Sequence, residues 1–212
     1  MAHGQLARIF GSLAIVVALV AAAPAAEQGD QTTLRIGEPA PDFTLKDVRT
    51  GDDVKLSDFK GDKIVVVTFQ STKCPWNYMR PEAGYERVLY PLSQAYAAKD
   101  VVFLAINSNA SESAESLKAY AEEHETPYPI LKDPGNEVAD AYGGKTTPHF
   151  FLIDKQGILR YQGGYEQSPT NPQKCGQMDE QYLVPAIEAV LAGAEPAQTV
   201  TKSKGCTIER AR

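Results

Sequence analysis

The sequence has no Cys-x-x-Cys pair and no cluster of cysteine and histidine at metal-ligand spacing. Its 212 residues hold three cysteines, Cys74, Cys175 and Cys206, and three histidines. A zinc-ribbon or zinc-finger centre is therefore excluded, and no resident metal or cofactor is expected. Blocks of lysine and arginine are also missing. With 21 basic residues against 27 acidic ones and a net charge of −6, nucleic acid and acidic membrane surfaces are poor partners. Internal repeats and low-complexity tracts are absent, and tryptophan occurs once, at Trp76. At 43% hydrophobic and 23% charged residues, the composition is that of a soluble protein with one good core.

What is present begins at the N terminus. Residues 1–26 carry one basic residue, Arg8, no acid, and an apolar run from Ile9 to Ala23 that ends in Ala23-Pro24-Ala25. This is the layout of a cleavable signal peptide, and a run of ~15 residues is short for a membrane span. The expectation is an exported protein, periplasmic or secreted, with no stable membrane anchor after cleavage; an uncleaved N-terminal anchor is the alternative. In an oxidising compartment three cysteines allow at most one internal bridge, and spacing does not choose among the three pairings.

Along the rest of the chain, strand and helix signals alternate. Residues 42–61 read as two short strands around Thr50-Gly51-Asp52. Residues 63–70, KIVVVTFQ, and 101–107, VVFLAIN, are continuous apolar runs, the mark of strands buried on both faces. Tyr85, Val88, Leu89, Leu92 and Tyr96 make one helical stripe, which Pro81 and Pro91 should bend or interrupt. Residues 111–124 read as a Ser-initiated helix, and a short helix ends at Gly143-Gly144. Two strands flank Lys155-Gln156-Gly157, and Leu183, Ile187, Val190 and Leu191 mark a last helix. The order β-α-β-α-(α)-β-β-α predicts an α/β fold: a mixed sheet with a parallel portion and helices on both faces. One domain spans residues 34–193. The tail, 194–212, is polar and expected to be flexible, and it carries Cys206.

Cys74 stands just past the end of a buried strand. Pro75 follows it, so a helix is expected to open there, with free N–H groups and a positive dipole end that favour a thiolate. Lys73 and Arg80 add positive charge, and the polar flanks Ser71, Thr72 and Lys73 suggest an exposed, reactive thiol. Thr147-Pro148 precedes a hydrophobic strand, where the peptide bond could be cis or an ordinary trans bond. His149 could shuttle a proton or bind metal, or be a strand residue turned away from the thiol. Trp76 could be a platform for a substrate or a helix-start aromatic.

In this order and at these spacings, IGEPAPDFTLKD, FQSTKCP, AINSN, LKDPGNEVADAYG, TPHFFLIDKQGILRYQGG and the late GCTI resemble the thioredoxin-like superfamily. The likeness is to the redoxin branch of the alkyl hydroperoxide reductase/thiol-specific antioxidant (AhpC/TSA) family. The resemblance implies a thioredoxin-like fold with an N-terminal β-hairpin extension, Cys74 as attacking thiol, and Pro148 as a facing cis-proline presented with Thr147. Ser71, Lys73, Pro75, Trp76 and Asn77 would support the site.

The chain departs from the dithiol pattern at Asn77, where a second cysteine would stand, so Cys74 has no local partner to release a mixed disulfide. It departs from peroxiredoxins at Val67, where their motif has proline, and at Pro148, where they carry arginine. Resolution falls to Cys206, which the family's late Gly-Cys motif favours, or to Cys175. Alternatively Cys175 and Cys206 bond each other and pin the tail. The expected activity is thiol-disulfide exchange, or thiol-dependent peroxide reduction through a sulfenic acid. The partners would be a thiol/disulfide protein, a small thiol or a peroxide, with an external reductant. Two lower readings remain: a non-catalytic binding module, and a copper-handling protein resembling Sco-type chaperones. The latter has Tyr78 in place of their second cysteine and would need Cys74, Met79 and His149 to converge.

Overall fold

In the computed structural model, the described residues are Met1, 34–77 and 84–211. Residues 2–26 of the expected signal segment, Tyr78, Met79, Arg80 and Pro81 lie outside them. The strands are β1 (Thr44–Asp47), β2 (Asp53–Lys55), β3 (Ile64–Phe69), β4 (Val101–Asn107), β5 (Ile130–Lys132), β6 (Thr146–Thr147), β7 (His149–Ile153), β8 (Leu159–Gly163) and β9 (Cys206–Thr207). The helices are α1 (Glu86–Ala97), α2 (Ala114–Glu123), α3 (Glu137–Ala141) and α4 (Leu183–Leu191). Seven strands form one mixed sheet in the order β2-β1-β5-β4-β3-β7-β8, and β6 pairs with β9 in a separate ladder.

β3 lies at the heart of the sheet, parallel to β4 and antiparallel to β7, and every one of its residues is buried. Successive side chains point to opposite faces, so Ile64 and Val66 join one core while Val65, Val67 and Phe69 join the other. On the first face α1, α2 and α4 contribute Leu89, Leu117, Tyr120, Leu183 and Ile187, packed with Tyr85 against Phe150 and Leu152. On the second, Val138 and Ala139 of α3 meet Leu34, Phe43 and Ile208. Burying each of these large side chains contributes about 1.5–3 kcal/mol, which makes β3 a rigid mount for whatever follows its C-terminal end. α1 runs unbroken through Pro91, so that proline costs one ladder bond without ending the helix.

The β1–β2 hairpin joins the main sheet through β5. The tail departs from expectation. It follows the body closely from Thr199 to Ala211, first beside β8, where Gln162 N–H donates to the Thr199 carbonyl at 2.9 Å and Thr201 N–H to the Gln162 carbonyl at 3.0 Å. Thr207 and Cys206 of β9 then pair with Thr146 and Thr147 of β6. Ile208, only 2% exposed, is buried in the second core. Beyond it, Glu209 N–H donates to Asn109 Oδ1 and Ala211 N–H to Asn136 Oδ1. Polarity suggested a loose tail; backbone pairing and one buried isoleucine make it a strap.

Candidate active site

Cys74 sits where expected, just past the end of β3, but it is 2% exposed rather than open. Ser71 is buried as well, and the strap supplies the cover. The segment after Cys74 is a turn over Pro75–Asn77, in which Asn77 N–H donates to the Cys74 carbonyl at 2.9 Å. The described part of the following helix begins at Glu86, so the helix start expected at Pro75 is not what the described residues present beside the thiol.

The Thr147-Pro148 peptide bond is cis. The Cys74 thiol donates to the Thr147 carbonyl at 3.0 Å. Cys206 lies opposite Thr147 in the β6–β9 ladder, and it lines the same cleft as Cys74. Burial pushes the Cys206 thiol up, and the neighbouring Cys74 sulfur pushes it the same way, so Cys206 holds its proton next to Cys74. Two cysteines distant in sequence thus share one cleft. All three thiols are free.

Cys175 has different surroundings. It is fully buried, and burial, then the carboxylate of Glu166, push its thiol up to about 12. Cys206 is pushed up to about 12 as well, so place rather than pKa separates the two: Cys206 lines the cleft at Cys74 and Cys175 does not. Glu166 is itself buried and committed, accepting from Gly176 N–H at 2.5 Å, Met178 N–H at 3.0 Å and Gln181 Nε2 at 2.8 Å. Cys175 and Glu166 therefore belong to the packing of the loop before α4.

Asn77 fills the place of a second cysteine as a fully buried tie. Its Oδ1 accepts from Ser71 N–H at 3.4 Å and its Nδ2 donates to Glu86 Oε1 at 3.5 Å. Tyr120 donates to the other oxygen of Glu86. Pro75 is exposed and Trp76 half-buried, with the Lys204 ammonium of the strap 5.0 Å from the Trp76 ring centroid; the aromatic surface is covered by the chain's own tail. Lys73 is exposed, its Nζ donating to the Ser111 carbonyl and hydroxyl at 3.0 and 3.2 Å. His149 turns away from Cys74, its ring 4.5 Å from that of Phe151. Burial, then Lys145, lower its pKa to about 4, so it is neutral near pH 7.

One residue that the sequence did not announce is Glu112, 1% exposed. It accepts from Thr72 N–H at 2.8 Å, from the Thr72 hydroxyl, and from Asn107 Nδ2 at 2.9 Å. This carboxylate fixes the loop that carries Cys74 to the end of β4. Its only sequence signal is a place just ahead of Ser113, the α2 cap. Beside the two sulfurs lies a cleft of about 160 Å³ lined by Ser71, Lys73, Asn109, Ser111, Glu112 and Glu209. Among the described residues no group of three metal-type side chains converges.

Residues 36–162 match the model of the AhpC/TSA family. The chain is 35% identical over 131 residues to the thiol-disulfide oxidoreductase ResA of Geobacillus kaustophilus (strain HTA426), covering 62% of this chain and 70% of that protein. Among solved structures, a hypothetical protein of Sinorhizobium meliloti 1021 superposes with a TM-score of 0.72 at 30% identity, over 85% of this chain and 97% of that one. The thioredoxin domain of a thiol-disulfide oxidoreductase of Bacteroides vulgatus gives a TM-score of 0.51 at 27% identity, over 61% of this chain and 89% of that one.

Proposed function

The chain belongs to the AhpC/TSA family, and from that premise we propose that it is an exported thiol-disulfide oxidoreductase in which Cys74 attacks and Cys206 resolves. The observation that carries this reading is that Thr147, whose carbonyl accepts from the Cys74 thiol, pairs with Cys206, so that both sulfurs line one cleft. Cys74 would attack a substrate disulfide to give a mixed disulfide. Cys206 would then attack the Cys74 sulfur, releasing the substrate thiol and leaving a Cys74–Cys206 bond for an external reductant to open. Resolution by a cysteine 59 positions past Thr147 replaces the neighbouring cysteine that Asn77 has displaced. Export rests on the pattern of residues 1–26.

Exchange is preferred to peroxide reduction because the Cys74 sulfur meets a carbonyl acceptor and shares its cleft with a second thiol. The nearby Lys73 ammonium is turned to Ser111 and gives a developing alkoxide no cationic donor. The test is disulfide mapping by mass after one turnover with a model disulfide or with peroxide. Wild type should yield Cys74–Cys206, and Cys206→Ser should trap substrate on Cys74. A Cys175–Cys206 bond, or undiminished turnover by Cys206→Ser, would refute the assignment. Consumption of peroxide but not of disulfide would make the protein a peroxidase, and inertness toward both would leave a binding module.

A further inference from the structure

Ahead of Cys206 the strap meets the body along a second cleft, of about 430 Å³. That volume falls within the ~300–1,000 Å³ typical of sites for small organic ligands. Val200, Lys202 and Ser203 line it from the strap, and Asp140, Lys145 and His149 from the body. Lys145 and His149 flank Thr146-Thr147-Pro148, which carries β6 and the cis bond. A molecule in this cleft therefore reaches both the strap and the flanks of the segment with which β9 pairs.

The charges of this lining are one-sided. Lys145 and Lys202 are both exposed, and among the described residues neither ammonium has an acid partner. The one acid in the lining, Asp140, is already held by Arg210 Nη1 at 2.7 Å. Burial, then the Lys145 charge, keep His149 neutral, so the ring offsets neither lysine. Like charges on the two sides of one seam repel, and closing the strap works against that repulsion. A direct tie across the seam is neutral: the Thr146 hydroxyl donates to Ser203 Oγ at 2.8 Å. An anion in the cleft would cancel the repulsion and bridge strap to body. Val200 supplies an apolar wall beside it; at 58% exposed, it is the one large apolar side chain left open among described residues 34–211.

We propose that this cleft binds a small organic dianion, an apolar body with a phosphate-type head, and that the bound ligand clamps the strap over Cys74. The head lies between Lys145 and Lys202, one from each side of the seam, and the body lies against Val200. A ligand that binds only the closed strap shifts the opening equilibrium by its own binding free energy. The buried Cys74 then becomes harder to reach while the ligand is bound. The site is separate from the two sulfurs and does not depend on the exchange cycle, because access to Cys74 reads the strap whether or not the thiols exchange.

The probe is phenyl phosphate at about pH 8, where a phosphate monoester carries close to two charges. The readout is alkylation of Cys74 by iodoacetamide, a neutral reagent, in the reduced full-length protein at constant ionic strength. Protection should saturate, reaching about tenfold at ten times the dissociation constant, and the ring signals of His149 should shift with the same constant. Inorganic phosphate should bind more weakly, and phenol should not protect. Lys145→Gln and Lys202→Gln, at exposed positions, should each weaken binding by up to about fivefold, the upper scale of an exposed ion pair. Without ligand, either change relieves the repulsion across the seam and should slow alkylation rather than speed it. Protection that never saturates, that chloride reproduces at equal ionic strength, or that persists undiminished with both lysines replaced would overturn the site. Protection by phenol alone would overturn it too, since the cleft would then be apolar in function. Binding at His149 with no change in alkylation of Cys74 would refute the clamp.

Discussion

Gly205 offers the sharpest perturbation of the paired thiols. A Cβ at this position would lie 1.9 Å from the Thr147 carbonyl oxygen, 2.5 Å from its carbon and 3.0 Å from Pro148 N. All three are backbone atoms and cannot swing aside, so Gly205→Ala must push β9 away from β6 by about an ångström or more to regain ordinary contact. The same Thr147 oxygen accepts from Cys74, and the next residue of the strap is Cys206. The two sulfurs should therefore separate, while Ile208 still anchors the far side and the main sheet is untouched. Overpacking of this kind costs about 1–3 kcal/mol, which lowers the equilibrium constant for closing the Cys74–Cys206 bond by roughly 5- to 150-fold. The assay is equilibration in dithiothreitol redox buffers, followed by alkylation and mass measurement, with thermal unfolding of the reduced protein as a control. An unchanged constant, with reduced-state stability also unchanged, would refute the claim that strap pairing sets the approach of the two thiols.

Three further outcomes follow from the same geometry. Ile208→Val should loosen the strap by about 1 kcal/mol, speeding alkylation of the buried Cys74 in the reduced native protein roughly fivefold by easing local opening; an unchanged labelling rate would show that the thiol is reached without moving the strap. Asn77→Cys should create a local partner, so that disulfide mapping finds Cys74 bonded to the introduced thiol and Cys206→Ser in that background no longer traps substrate. His149 has a folded pKa below its ordinary value. The unfolded chain therefore takes up its proton first, and the stability that a neutral His149 permits is whole above about pH 6.5 and lost as pH falls toward about 4, by at most about 3 kcal/mol. Urea titrations should show a smaller acid loss in His149→Gln than in wild type, and parallel losses would disprove the assignment.

How much of this was legible depends on the kind of signal each part leaves. β3 and β4 were readable because a strand buried on both faces is apolar at every position. Cys74 and Pro148 were readable because their order and spacing are preserved around those strands. The strap was not. It is held by backbone bonds to Gln162, Asn109 and Asn136 and by the single apolar residue Ile208, an arrangement with no periodicity. Glu86, Glu112 and Glu166 also escaped, since an isolated glutamate reads as solvent-facing and only tertiary structure reveals that all three are buried. The burial of Cys74 was hidden for the same reason: its flanks are polar, and its cover comes from the far end of the chain.

Moving the second sulfur from position 77 to position 206 also changes what the bond does to the rest of the molecule. A Cys-x-x-Cys bond closes a ring of four residues and constrains little else. A Cys74–Cys206 bond would close a loop of about 130 residues, and restricting so much unfolded chain is worth about 5 kcal/mol in the chain-entropy view. Stabilisation of the folded state by oxidation is, by linkage, stabilisation of the disulfide by folding, at about 30 mV for each 1.4 kcal/mol. A distant partner therefore makes the disulfide depend on folding more than a local one would, and the protein sturdier to heat oxidised than reduced. Because Cys206 follows all seven strands of the main sheet, the chain must be made through residue 206 before it can acquire either property.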